Sequence, residues 1–179
     1  ANALVRSGTN PNTLYASTYQ RRRHACCMNG GGTGSGIWKS TDGGDNWVRV
    51  NGGGLPDGPL GRIEVDVYGL DDQTVYALIE GPRFAGNGGD AAEGDEEEVQ
   101  NLNGLYRSKD GGSTWELMSN TNPRPMYFSQ IRVSPTDPEL LYTVDQQVAK
   151  SRDGGRTWET LTGFGHVDQH ALWINPANH

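Results

Sequence analysis

The octapeptide Ser40-Thr41-Asp42-Gly43-Gly44-Asp45-Asn46-Trp47 decides the fold, because the chain carries two further copies of it. The later copies are Ser108-Lys109-Asp110-Gly111-Gly112-Ser113-Thr114-Trp115 and Ser151-Arg152-Asp153-Gly154-Gly155-Arg156-Thr157-Trp158. We call these three octapeptides the box turns. Each one follows a short strand-like run and precedes another, so each predicts a β-hairpin closed by an Asp-Gly-Gly turn.

Each residue type in a box turn has a structural reason. The aspartate can accept hydrogen bonds from the backbone N–H groups that follow it in a tight turn, and the glycines allow positive φ. The serine can tie the two strands together, and the tryptophan is an apolar plug beneath the turn. Catalysis or metal binding is the alternative role of the aspartates, but three copies of one turn favour architecture. The predicted structural positions are therefore Ser40, Asp42, Trp47, Ser108, Asp110, Trp115, Ser151, Asp153 and Trp158.

The box turns resemble the Asp-box, or BNR repeat, of β-propellers. The surrounding sequence is similar to sortilin-like bacterial propellers, which are often labelled glycosyl hydrolases. The stretches that carry this likeness are Gly34-Ser35-Gly36-Ile37-Trp38-Lys39-Ser40-Thr41-Asp42-Gly43-Gly44, Leu60-Gly61-Arg62-Ile63, Asn122-Pro123-Arg124-Pro125 and His166-Val167-Asp168-Gln169-His170-Ala171-Leu172-Trp173. The resemblance covers nearly the whole chain. It implies an all-β fold of four-stranded antiparallel blades in a ring of roughly seven or more blades.

The same resemblance implies an exported bacterial protein, periplasmic or extracellular. It says less about activity, because propellers of this kind serve as glycosidases, receptors and assembly factors.

A second landmark, a Tyr-containing strand around Tyr15, Tyr76 and Tyr142, divides the chain into units of four strands, a to d. We predict a first blade at residues 1–50, without strand a and with an insertion at 20–35, and a second at 51–119, with an acidic insertion at 81–103. A third blade is predicted at 120–162, and the first strand of a fourth at 163–179. About three blades cannot close a ring, so we expect the remaining blades to come from the same chain or from another.

Composition excludes two classes of partner. The formal charge of −7 is concentrated in the acidic insertion, where Asp90, Glu93 and Asp95–Glu98 lie. We interpret this run as a solvated loop, with a calcium or cationic-partner site as the alternative. The chain shows no basic face of the kind that binds nucleic acid, and no run of about 18 apolar residues that would span a membrane.

The adjacent Cys26 and Cys27 are expected to be thiols, because a disulfide between neighbours is strained.

Strand order predicts which face of the disc carries function. The box turns are the c–d turns, and they share one face with the short a–b turns. The b–c loops and the blade-to-blade links lie on the opposite face, at the mouth of the central channel. Irregular loops on a rigid scaffold are where binding residues usually sit. The predicted binding residues on that face are Arg21, Arg23, Arg62, Tyr127, Gln130, His166 and His170.

The segment His166-Val167-Asp168-Gln169-His170 is the sharpest local signal. If it is extended, alternation places His166, Asp168 and His170 on one side, where they are a weak candidate for a metal site. The alternative is that they form hydrogen bonds with neighbouring blades at the channel rim. No other cofactor is expected. Asp168 is also a candidate acid/base carboxylate, with a partner in Glu64, Asp66 or the missing blades.

Two functions follow from these patterns. The first is a sortilin-like binding module that grips a glycan, a peptide or a partner protein at its loop-rich face. The alternative is a glycoside hydrolase that acts on polysaccharide, with Asp168 as one catalytic carboxylate.

Overall fold

A computed structural model describes residues 1–82, 101–122, 124–127 and 129–177 of the chain. Regular secondary structure within these ranges is entirely β. The strands are β1 (Ala3–Arg6), β2 (Leu14–Thr18), β3 (Arg21–Arg23), β4 (Met28–Gly30), β5 (Gly36–Ser40), β6 (Val48–Val50), β7 (Ile63–Val67), β8 (Val75–Ile79), β9 (Gly104–Ser108), β10 (Glu116–Ser119), β11 (Gln130–Val133), β12 (Leu141–Val144), β13 (Val148–Ser151) and β14 (Glu159–Leu161).

Twelve of these strands form three antiparallel sheets of four strands each. The first blade has the order β1-β2-β5-β6, the second β7-β8-β9-β10 and the third β11-β12-β13-β14. The predicted all-β fold of four-stranded propeller blades is confirmed. Strands β3 and β4 form a separate hairpin within the insertion at 20–35. Of the acidic insertion at 81–103, residues 83–100 lie outside the described residues.

Two predictions about the ends of the repeat array were wrong. Strand a of the first blade is present: β1 pairs with β2 from Ala3 opposite Ser17 to Arg6 opposite Leu14, and Ala3 and Val5 pack on the core. The predicted first strand of a fourth blade is absent from the described residues 163–177, because no described strand pairs with that segment. Instead, the backbone N–H of Gln169 donates to the Asp145 carbonyl at 2.6 Å.

The apolar core lies between blades, and strand β8 divides it into two clusters. Val75, Ala77 and Ile79 face the cluster shared with the first blade. Tyr76 and Leu78 face the cluster shared with the third blade. A central strand that is buried on both faces carries apolar side chains at every position, and in Val75–Ile79 the hydroxyl of Tyr76 is the one polar side-chain group. Blade-to-blade packing therefore fixes the relative positions of the loops at both faces.

The box turns staple each hairpin in the same way. In each copy the serine Oγ donates to the aspartate Oδ1, at 2.7, 2.8 and 2.7 Å, and accepts from the N–H of the second glycine. Both oxygens of each aspartate also accept bonds from the Asn or Thr before the tryptophan. These hydrogen bonds lower the pKa of Asp42 and Asp110 to about 2, and they also hold the pKa of Asp153 below its usual range.

The tryptophan plugs differ in depth along the chain. Trp115 is buried in the core between the first and second blades. Trp158 is half-buried against the second core cluster, whereas Trp47 is among the exposed large apolar side chains. A box tryptophan thus packs against the blade that precedes its own, and the described residues contain no blade on that side of Trp47.

The box turns share one face with the a–b turns. The first box glycine of each copy donates its N–H to a carbonyl of an a–b turn, and these acceptors are Asn12, Gln73 and Glu139. Tyrosines of strand b reach across to the next blade: the hydroxyl of Tyr15 donates to Gly111 O at 2.9 Å, and that of Tyr76 donates to Pro138 O at 2.9 Å. Burial raises the pKa of both tyrosines to about 12.

Among the residues that the structure describes, none forms a helix with the length and apolar character that a bilayer crossing requires.

Candidate functional site

The face opposite the box turns gathers the b–c loops and the links between blades. The hydroxyl of Tyr19, just after strand b of the first blade, donates to Met126 O in the link between the second and third blades at 3.4 Å. The N–H of Gly32, after hairpin β3–β4, donates to Leu60 O in the link between the first and second blades at 2.9 Å. Loops from three blades therefore meet on one surface, which we call the loop face.

The innermost strands of the three blades are held side by side beneath this face. The side-chain amide of Asn2 donates to Ile63 O at 2.8 Å, which joins the first blade to the second. The backbone N–H of Val133 donates to Asp66 Oδ2 at 2.9 Å, which joins the second blade to the third. Burial raises the pKa of the Asp66 carboxyl, and this bond partly opposes the rise.

A buried carboxylate lies at the centre of this arrangement. Glu64 is 5% exposed and sits between two arginines. Its Oε2 is 3.6 Å from Arg62 Nη2, and its Oε1 is 3.3 Å from Arg132 Nη1. The Asn2 amide also donates to Oε2, at 3.2 Å. Burial raises the pKa of Glu64, and the charges of Arg132 and Arg62 oppose the rise.

The two arginines extend this cluster to loops on either side. Arg62 donates through Nη1 to the carbonyl of Tyr127. Arg132 donates through Nη2 to Gln130 Oε1 at 3.1 Å. Gln130 in turn donates through Nε2 to the carbonyl of His170 at 2.6 Å. We call Arg62, Glu64, Arg132 and Gln130 the inner network; it fixes the backbone of two loops that belong to different parts of the chain.

The side chains carried by these two loops face solvent. Tyr127 is 47% exposed, and the guanidinium of Arg124 lies over its ring, 5.9 Å from the centroid. On the other loop, His170 Nε2 lies 3.5 Å from Asp168 Oδ2. The surface therefore presents an aromatic ring, a cation, a carboxylate and an imidazole, all on backbone that the inner network holds in place.

A cleft of about 230 Å³ opens beside this surface. It is lined by the end of hairpin β3–β4 at residues 29–32, by Pro59 and Gly61 of the link, and by Glu80 and Gly81. The N–H of Arg62 donates to Glu80 Oε2 at 3.0 Å, so the cleft and the inner network share one wall.

The structure brings together five of the predicted site residues and leaves three apart. Arg62, Tyr127, Gln130, Asp168 and His170 belong to the inner network or to the loops bonded to it. Arg21 and Arg23 lie instead on strand β3, exposed and opposite Gly30 and Met28. His166 is exposed, and its carbonyl accepts a bond from the side chain of Gln169.

The alternation expected for residues 166–170 is not formed. Asp168 has φ of +96°, which is not a strand conformation. Among the described residues, no group of three His, Cys, Asp or Glu side chains is arranged to hold a metal ion. What Asp168 and His170 share is a carboxylate–imidazole contact at the rim.

The predicted binding residues do not include Glu64 or Arg132, because these side chains meet only when the inner strands of two blades are placed in register. The box serines give the observed register: Ser108 pairs with Val75 and thus with Val67, and Ser151 pairs with Leu141 and thus with Val133. Counting back from these positions matches Gln130 with Glu64. Anchoring the alignment on the box serines would have placed Glu64 at the centre of the site.

Comparisons with known proteins show the fold. No family model matches the chain, and no curated protein matches it. Among solved structures, a GH74 enzyme from Niastella koreensis matches with 19% identity and a TM-score of 0.56, over 90% of this chain and 22% of that one. YCF48 bound to D1 peptide matches with 12% identity and a TM-score of 0.53, over 92% and 40%. An ancestral GH74 enzyme matches with 18% identity and a TM-score of 0.52, over 91% and 18%.

The chain thus spans less than half the length of each of these structures. At such identities the likeness concerns the fold alone, and that fold is the propeller.

Proposed function

We propose that this chain is part of an Asp-box propeller that binds a peptide, a glycan or a partner protein on its loop face. One observation carries the proposal: the inner network ties two loops, at Tyr127 and at His170, to the same buried Glu64. Burying charged groups costs free energy. When buried charges serve only to hold the backbone of exposed loops, that cost is typical of a functional site.

The exposed side chains suit recognition. Tyr127 offers a flat ring with a polar tip, which can stack on a sugar or on a peptide side chain. On the other loop, Asp168 and His170 offer an acceptor and a donor that lie 3.5 Å apart. Because the inner network already orders both loops, a ligand pays less entropy to bind them than it would to mobile loops.

The comparisons support this reading without deciding the ligand. One of the matching structures, YCF48, is bound to a peptide. The remaining blades of the ring are proposed to come from the same polypeptide or from another. An exported location belongs to the same proposal and rests on the sortilin-like resemblance.

The test is a binding screen with one variant on each face. Purified chain is immobilised and exposed to soluble neutral oligosaccharides and to pools of short peptides, with biolayer interferometry as the readout. Tyr127→Ala is expected to weaken any saturable binding about ten-fold or more, which corresponds to about 1.4 kcal/mol. Leu70→Ala, at a 66% exposed position in the a–b turn of the second blade, is the matched control and leaves binding unchanged.

Two results would overturn the proposal. One is the absence of saturable binding to every member of both panels. The other is equal loss of binding in Tyr127→Ala and Leu70→Ala, since that would place the ligand elsewhere or show a general loss of folded protein.

The second candidate function is hydrolysis of a polysaccharide with Asp168 as one carboxylate. It is favoured by the exposed position of Asp168 beside His170, at 3.5 Å, and by the GH74 enzymes among the matching structures. Its test is release of reducing sugar from soluble β-glucans. Activity that disappears in Asp168→Asn while oligosaccharide binding persists would favour the hydrolase over the binding module.

A further inference from the structure

The hairpin β3–β4 carries two thiols at its turn. Cys26 and Cys27 are both exposed and form no disulfide, and a hydrogen bond joins their Sγ atoms, which lie 2.6 Å apart. The turn is closed by a hydrogen bond from His24 N to Cys27 O at 2.8 Å, and Arg23 pairs with Met28 at its base. Two nucleophilic sulfurs thus meet at a solvent-exposed tip.

The tip of the hairpin is open to reagents in solution. Arg21, Arg22 and Arg23 are exposed on the strand that leads into the turn. The thiolate is the nucleophile in disulfide exchange. The hydrogen bond from Cys26 and desolvation raise the pKa of the Cys27 thiol. Exposure also gives an oxidant direct access to both sulfurs.

We propose that Cys26 and Cys27 form a thiol–disulfide exchange site that closes to a disulfide between neighbours when it meets a small-molecule disulfide. The thiolate of one cysteine attacks a sulfur of the small disulfide, whose S–S bond breaks, and one small thiol leaves. The second cysteine then attacks the protein sulfur of the resulting mixed disulfide, and the second small thiol leaves. The two cysteines are oxidised by two electrons, the small disulfide is reduced to two thiols, and the protons of the cysteines go to those thiols.

The bond changes the tip of the hairpin. The disulfide closes a ring that contains the peptide bond between Cys26 and Cys27. The ring restricts the backbone dihedral angles on both sides of that peptide bond. The hairpin continues into Gly31 and Gly32, and Gly32 donates to Leu60 O in the link that precedes Arg62. Strained, exposed disulfides are readily reduced, so the change is reversible. The loop face therefore has a redox-sensitive edge, whatever ligand that face binds.

The test uses the full chain, first reduced and then mixed with excess oxidised glutathione. Intact mass is measured without reductant, and peptide mapping locates the bond. The wild type is expected to lose two hydrogens and carry no adduct. Cys26→Ser and Cys27→Ser are each expected to keep one glutathione, because the thiol that would release it is gone.

The time course separates the intramolecular step from simple accessibility. The mixed disulfide of the wild type should decay on the order of ten-fold or more faster than that of either serine variant, because the second thiol is already in place.

Three outcomes would overturn the proposal itself. They are a wild type that retains two glutathione adducts, a wild type that forms disulfide-linked dimers, and a wild type in which both thiols remain free.

Discussion

Replacing Tyr76 with Phe tests whether the tyrosine of strand b holds one blade to the next. The side chain of Tyr76 has no solvent exposure, and its hydroxyl donates to Pro138 O at 2.9 Å. Phe keeps the ring in the core and removes only the hydroxyl. A buried hydrogen bond contributes about 0.5–1.5 kcal/mol, and a buried acceptor that loses its donor costs about 1–3 kcal/mol. We expect Tyr76→Phe to lower the free energy of unfolding by about 1–2 kcal/mol.

The chain provides a matched control. Tyr142 occupies the same position of strand b in the third blade, where it is half-buried and its hydroxyl makes no hydrogen bond within the described part of the chain. Tyr142→Phe is therefore expected to change the free energy of unfolding by less than about 0.5 kcal/mol. Tyr15→Phe removes a bond of the same length to Gly111 O, but this carbonyl also accepts a bond from Lys39 Nζ at 2.7 Å, so a smaller loss than that of Tyr76→Phe is expected.

The assay is urea unfolding followed by tryptophan fluorescence. With a slope of about 2 kcal/mol per molar urea, the expected loss shifts the midpoint of Tyr76→Phe down by about 0.5–1 M. The reasoning fails if the midpoints of Tyr76→Phe and Tyr142→Phe agree within error. It also fails if Tyr142→Phe is the more destabilised variant.

Three further predictions follow from the same geometry. Because the folded-state pKa of the box aspartates lies below the unfolded value, their contribution to stability is complete above about pH 4 and is lost as pH falls towards 2; urea midpoints across that range measure the loss. Because the folded-state pKa of Tyr15 and Tyr76 is raised to about 12, stability is full below pH 10 and declines from pH 10 to 12; the tyrosinate absorbance should rise together with unfolding. Gly155→Ala places a Cβ 2.2 Å from Leu105 Cδ2 at φ of +92°, whereas Gly163→Ala has open space at φ of +98°; thermal unfolding should show a larger loss for Gly155→Ala, by about 1–3 kcal/mol.

The repeated turns made the blades predictable from sequence. Asp42, Asp110 and Asp153 each sit at a fixed distance from a serine, a glycine pair and a tryptophan, and these local contacts need no knowledge of the rest of the chain. Strands that depend on pairing with a neighbour, and carry no local turn motif, were harder to predict. Ala3–Arg6 has a short, unremarkable sequence, and what makes it a strand is its pairing with Leu14–Thr18.

The site was less predictable because its key contacts are long-range. Glu64 and Arg132 are far apart in sequence and are joined only after two blades pack together. At His166–His170 the sequence suggested structure that is not formed: an alternating pattern of polar residues indicated a strand. Alternation describes a strand only when a neighbouring strand pairs with it, and none does within the described residues.

The two faces of the molecule are held together by different chemistry, and this difference bears on function. The box face uses the same short-range staple in each blade, from a serine hydroxyl to an aspartate two residues away. On the loop face, charged and amide side chains from distant parts of the sequence join one blade to the next, and Glu64 lies at their centre. The inner network bonds to the backbone carbonyls of Tyr127 and His170, so substitutions at these two positions keep those carbonyl acceptors and leave every box staple in place. Such an arrangement lets the recognition surface change its side chains while the blades that carry it stay folded.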